Sequence, residues 1–171
     1  MGNTLALDLS FTSTGISVLD NNNSILLAKH LPTDKKLTTA QRVKTVIDEV
    51  NTVLDGYNIK RTFIEDYSRQ CGLKTQIHTL QVLAALNVCV QYSLLNSTKL
   101  FNVIPVQTVR ARVKRLAKYS TTPKKDQIPD VVSKIITVPT WLSQFETKKY
   151  YLDIMDSLAL NIAGRDLYGS E

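Results

Sequence analysis

The feature that most constrains this chain is a carboxylate closing each of two apolar runs: Asp8 follows Leu5, Ala6 and Leu7, and Glu65 follows Phe63 and Ile64. An ionised carboxylate leaves water at a cost of several kcal/mol unless a cation or a donor compensates it. A third segment adds Asp153 and Asp156, three apart and so on one side of a helix, followed by the apolar Leu158, Ala159, Ile162 and Ala163. Like charges at this spacing repel, and a shared cation reverses the sign. Hard oxygen donors from separate segments suit Mg²⁺, with Mn²⁺ as a substitute. Two such ions activate a water and stabilise the leaving oxygen of a phosphodiester. The constellation points to a two-metal nuclease centre on Asp8, Glu65, Asp153 and Asp156. Each acid alone also has an ordinary reading, as a surface Asp-x-x-Asp pair or as part of a hairpin turn.

Periodicity supplies the scaffold. Residues 4–9, 15–20 and 24–31 are predicted as an antiparallel meander, with Asn21, Asn22 and Asn23 in a turn that tolerates left-handed backbone angles. Val43, Val46, Ile47, Val50, Val53 and Leu54 recur at threes and fours, which predicts a helix over 39–54 that Gly56 stops. A helix leading back to the strand of Glu65 implies parallel pairing with the first strand. Because strand side chains alternate, Glu65 and Asp66 point to opposite faces, and Glu65 is assigned to the centre with Asp8. Residues 75–95 are apolar around most of a helical circumference, so that helix is expected to meet the sheet on one side. Its other side is either internal or against a second subunit. A strand over 101–106, a helix over 107–118, a helix from an Asp126 N-cap to Ile136, an irregular stretch over 139–146 and a helix over 147–167 follow. The expected fold is α/β: one domain over 1–171, with a mixed five-stranded sheet of a three-stranded antiparallel meander plus parallel strands, flanked by helices.

Charge is concentrated. The chain carries +6 over 171 residues, yet Arg110, Arg112, Lys114, Arg115, Lys118, Lys124 and Lys125 fall within 107–125 with no acid, leaving the remainder at −1. Clustered cations read as a phosphate-tracking surface, against the plainer reading of a solvated face. If 107–118 is helical, Arg110, Lys114 and Lys118 line up outside at intervals of four. The hydroxyl-rich loop with Ser10 and Thr12 behind Asp8 lets a nucleic acid backbone approach. Cys71 and Cys89 form no metal-spaced pair, which favours a reduced, cytoplasmic compartment. Gln81, Asn87 and Gln91 interrupt the most apolar run, so no membrane span is expected. His30 reads as a surface or capping residue, and Tyr150 as packing around the last helix.

At the level of motifs the chain resembles the RuvC-type Holliday junction resolvases of the RNase H-like superfamily. Leu5 to Val18 looks like that family's first strand, acid and hairpin. Phe63-Ile64-Glu65 looks like its second acid motif, and Asp153-Ile154-Met155-Asp156-Ser157-Leu158-Ala159 like its closing helix. Val109-Arg110 and Lys125-Asp126-Gln127-Ile128 are similar to its two basic contacts around the scissile phosphate. The resemblance implies a homodimer, bacteriophage-encoded and acting in the host cytoplasm, that nicks symmetrically related strands of a four-way DNA junction and leaves 5′-phosphate and 3′-hydroxyl ends. It implies two Mg²⁺ ions on the four acids and no organic cofactor. Lys125 and Arg110 would stabilise charge growing on the phosphate, while Lys114, Lys118 and Lys124 would position duplex arms.

Three departures stand out. Leu9-Ser10 replaces the family's Pro-Gly. Ser68 stands where its base-stacking aromatic lies, with Tyr67 the adjacent candidate for DNA contact. Lys118-Tyr119-Ser120-Thr121-Thr122 replaces a glycine-rich turn. Two other readings stay open: a branched-DNA binding module without turnover, and hydrolysis of RNA–DNA hybrids, which shares the metal chemistry. A sugar-kinase type of phosphotransferase shares the first loop but needs two such domains.

Overall fold

The computed structural model describes residues 2–66, 77–97, 100–144 and 147–169; Tyr67, Ser68 and Cys71 lie outside the described residues. Strands β1 (Asn3–Asp8), β2 (Ser13–Leu19) and β3 (Ile25–Pro32) form the expected meander. At the β2–β3 turn Asn23 takes φ 64°, and the Asp20 carboxylate accepts from the amides of Asn22 and Ser24, each at 2.8 Å. Helix α1 (Thr39–Gly56) starts on a Thr38 N-cap that exchanges bonds with Gln41. Its end differs from expectation: Gly56 is still helical, and the left-handed residue that turns the chain is Asn58, at φ 47°. Strand β4 (Ile59–Asp66) runs parallel to β1, and β5 (Leu100–Pro105) runs parallel to β4, giving the sheet order β3-β2-β1-β4-β5.

Alternation sorts the two faces. Leu5, Leu7, Ile16, Val18 and Ile64 pack under α1 and α2 (Ile77–Asn96), whereas Ala6 and Phe63 pack under α3 (Val106–Leu116), α4 (Ile128–Ser133) and α5 (Lys148–Tyr168). Asp8 and Glu65, two residues beyond Ala6 and Phe63, therefore project toward α5, and Asp66 toward the other face. Helix α2 is buried through Leu83, Leu86, Asn87, Val90 and Leu94, while Ile77, Val88, Tyr92 and Leu95 stay at least 60% exposed. By length and composition α2 could cross a membrane; a third of it is buried within the protein.

Helix α5 is buried on nearly every side, and two glycines set its distance from the sheet. A Cβ on Gly15 of β2 would lie 2.1 Å from the Asp153 carbonyl oxygen, and one on Gly164 would lie 2.4 Å from the Phe63 ring. Between them Asn161 stitches helix to sheet. Its amide donates to the carbonyls of Thr4 and Ser17, both at 3.1 Å, and its oxygen accepts from Thr4 Oγ1 at 2.6 Å.

Between α3 and α5 the chain departs from expectation in four places. Helix α3 ends at Leu116, and Lys118 adopts φ 51° with Tyr119 N–H on Lys114 O and Lys118 N–H on Arg115 O, a Schellman closure with lysine where glycine is usual. Lys118 thus leaves the helical row of Arg110 and Lys114. Ahead of α4, a 3₁₀ turn over Lys125–Gln127 replaces the Asp126 cap; Gln127 Oε1 reaches back to the Lys124 amide at 2.9 Å. Helix α4 stops at Ser133, short of Ile136, and Thr140–Gln144 forms a 3₁₀ turn instead of irregular chain.

Asn161→Ala removes a buried donor and acceptor together and leaves a small cavity. Unfolding in urea should show a loss of about 3 kcal/mol, above the usual 0.5–1.5 kcal/mol of a single hydrogen bond.

Candidate active site

One row of paired residues crosses the sheet at the end that carries Asp8 and Glu65. Asp8 pairs with Gly15, Gly15 with His30, and Glu65 with Ile104; Leu7 pairs with Ile64, so Asp8 and Glu65 are neighbours one step on. Gly15 leaves a gap in this row, and the α5 backbone at Asp153 fills it. Two acids from adjacent parallel strands and two from one helix thereby reach the same space.

That space is a cavity of about 370 Å³. Asp8, Glu65, Asp153 and Asp156 line it together with the cations Arg110, Lys125 and Lys149, and Leu9, Ser10 and Val106 complete the wall. Lys125 Nζ lies 3.2 Å from Asp153 Oδ1 and 3.0 Å from Asp156 Oδ2. The other oxygen of Asp153 accepts from Ser13 Oγ at 2.9 Å, so a carboxylate only 6% exposed has partners on both oxygens.

The electrostatics are those of a crowded acid cluster. Burial, followed by the charges of Glu65 and Asp156, holds the Asp8 carboxyl well above its ordinary range, with Lys125 only partly offsetting them. Burial also raises Asp156, against the pull of Lys125 and Arg110. Burial alone would lower the Lys125 ammonium, but Asp156, Asp8 and Asp153 more than reverse it and keep it charged. As the side chains stand, no three acids, histidines or cysteines among the described residues converge on one ion position. The cation on which Asp153 and Asp156 close is the Lys125 ammonium. An all-oxygen donor set that already gathers a cation, with burial raising two carboxyls and neighbouring acids adding to the rise at Asp8, fits a hard divalent ion.

Of the residues expected in the site, Asp8, Glu65, Asp153, Asp156, Lys125, Arg110 and Ser10 share the cavity. Thr12 is not in the cavity wall; its hydroxyl lies 3.4 Å from that of Ser10, and it lines a separate pocket with Thr79 and Leu83 of α2. Lys114, Lys118 and Lys124 lie outside the cavity wall, and Tyr67 falls outside the described residues. The basic stretch is also divided: Arg112 and Arg115 both pair with Asp166 on α5 and serve packing. Three site residues carry little sequence signal. Lys149 stands four before Asp153 on the same helical stripe, a spacing that could have revealed it. Gly15 is marked only as a glycine inside a strand, and nothing local marks Ser13. His30 is a packing residue, stacked on Tyr150 at 3.7 Å between ring centroids.

No protein-family model and no curated protein matches the chain. Among solved structures, Thermus thermophilus RuvC in complex with Holliday junction substrate is similar over 99% of this chain and 96% of that one, with TM-score 0.74 and 13% identity. The yeast mitochondrial Holliday junction resolvase is similar over 95% and 77%, with TM-score 0.68 and 12% identity. The fowlpox virus resolvase, in complex with Holliday junction DNA, is similar over 96% and 97%, with TM-score 0.58 and 14% identity. At these identities the likeness establishes the fold, which is RuvC-like within the RNase H-like class.

A carboxyl whose folded pKa is raised binds protons more tightly in the native state, so stability falls as pH rises from the unfolded value of 3.8 through the folded value. Asp8→Asn is therefore expected to raise the melting temperature in chelating buffer at neutral pH. The gain should disappear below about pH 4, as thermal melts across the pH range would show.

Proposed function

We propose that the chain is a one-domain, metal-dependent endonuclease that binds and nicks branched DNA, four-way junctions foremost, acting as a homodimer. The observation that carries this reading is the meeting of four carboxylates with Arg110, Lys125 and Lys149 in one cavity of a RuvC-like fold. Acids suited to metal and cations suited to phosphate are both needed for phosphodiester hydrolysis, and here they are interleaved.

Asp8, Glu65, Asp153 and Asp156 would hold two Mg²⁺ ions, with Mn²⁺ substituting, and these supply water activation and neutralisation of the departing 3′ oxygen. Ser13 fixes the rotamer of Asp153 from β2. Lys125, kept protonated by the acids, presents its ammonium to a phosphate oxygen, and Arg110 adds a planar donor from α3. Ser10 and Thr12 offer hydroxyls to the DNA backbone, while Lys114, Lys118 and Lys124 steer duplex arms along the same side. The products carry 5′-phosphate and 3′-hydroxyl ends. A bacteriophage protein acting in its host's cytoplasm is the setting this activity suits.

Helix α2 supports the dimer. It bears no charged residue over its 20 positions, and Val88, Tyr92 and Leu95 form an exposed stripe at helical spacing. Two copies related by a two-fold axis would cover that stripe and match a two-fold junction.

The test is Mg²⁺-dependent cleavage of end-labelled four-way junction, fork, flap, linear duplex and RNA–DNA hybrid. Paired symmetric nicks in the junction are expected. Asp156→Asn should cut more than about 100-fold more slowly, since loss of an outer-shell partner alone costs about 10–100-fold, and it should bind junction at least as tightly. Binding without cleavage in either metal would favour the non-catalytic module, and preference for the hybrid would favour a ribonuclease H. In sedimentation, Val88→Glu should yield a folded monomer, whereas Leu86→Asp, at a buried position, should unfold the chain. A Val88→Glu protein that stays dimeric would move the interface elsewhere.

A further inference from the structure

The loop that carries Asp8 into β2 is held from the opposite face of the sheet. Arg42, on α1, is only 8% exposed, and among the described residues no carboxylate pairs with it. Its guanidinium serves the loop instead: Nη2 donates to the Phe11 carbonyl at 2.6 Å, Nε donates to Thr33 Oγ1 at 3.0 Å, and the plane lies 3.7 Å over the Phe11 ring. Thr33 completes the clasp. Its hydroxyl donates to the same Phe11 carbonyl at 2.6 Å, and its amide donates to Thr12 O at 3.2 Å. Desolvating a guanidinium for a neutral carbonyl, a hydroxyl and a ring is costly if the only return is stability, because an apolar side chain would fill the same space more cheaply. The planar fork does what an apolar side chain cannot: it pins a backbone carbonyl and a ring at once.

We infer that Arg42 is a positioning residue for the proposed cleavage, holding the Leu9–Thr12 loop so that Asp8 and the cavity wall at Leu9 and Ser10 keep one geometry. This rests on the nuclease reading above. Arg42 touches none of the four acids; it acts through Phe11, the third residue after Asp8. An error of about 1 Å in such a wall costs on the order of 10²-fold in rate.

The experiment compares wild type with Arg42→Lys and Thr33→Val, using junction binding in chelator, single-turnover cleavage in Mg²⁺, and amide hydrogen exchange. Both variants should bind junction within about threefold of wild type and cleave at least about tenfold more slowly. Exchange should accelerate in residues 9–14 and stay unchanged in 4–7. Lysine retains the charge but not the fork, so failure of Arg42→Lys to rescue cleavage separates geometry from electrostatics. Unchanged loop exchange, or faster exchange with an unchanged cleavage rate, overturns the inference. If wild type cuts no substrate, the nuclease reading falls, and the exchange result still decides whether Arg42 holds the loop.

Discussion

The carbonyl of Asp153 sits where a side chain on residue 15 would have to be, and the cavity depends on that contact. A helix is normally held off a sheet by the side chains that fill the space between them. Here Gly15 and Gly164 remove the spacers at two points, and Asn161 bonds the helix to strand carbonyls between them. The close approach lowers Asp153 and Asp156 into the same layer as Asp8 and Glu65, and it lets Ser13 reach Asp153. A larger residue at position 15 would lift the helix and separate the two pairs of acids while leaving the sheet intact.

Bringing four acids together opposes folding. Asp8 and Asp156 are raised chiefly because burial penalises their charge, and neighbouring carboxylates add to the penalty at Asp8. Lys125 is the protein's own partial answer, bridging two of the four. A site that is locally unfavourable in the bare protein and relieved by cations is what a metal-assisted centre requires, since the ligand's charge then contributes to both binding and stability.

The basic segment shows how one run of cations splits between structure and binding. Arg112 and Arg115 turn toward Asp166 and anchor α3 to α5, whereas Arg110 turns into the cavity, although all three lie within six residues. Helical phase separates them: a step of two or five residues carries a side chain around to a different flank of α3. The Schellman closure at Lys118 then bends the chain back so that Lys125 returns to the site from a second direction.

Much of this was legible in the residues. Alternation in β1 and β4 chose Glu65 over Asp66, the Asp153–Asp156 spacing placed both acids on one helical side, and the meander and parallel crossover followed from periodicity; all of these are local rules acting over a few residues. Helix ends were less legible at Asn58, Lys118 and Gln127, because asparagine and lysine took left-handed angles and a glutamine supplied a cap. What the sequence could not determine is the part that depends on approach between distant segments. Gly15 against Asp153, Asn161 against Thr4 and Ser17, Ser13 on Asp153, and Arg42 reaching around the sheet to Phe11 are contacts 31 to 157 residues apart. No local propensity encodes such distances; they are set only when the helices settle on the two faces of the sheet.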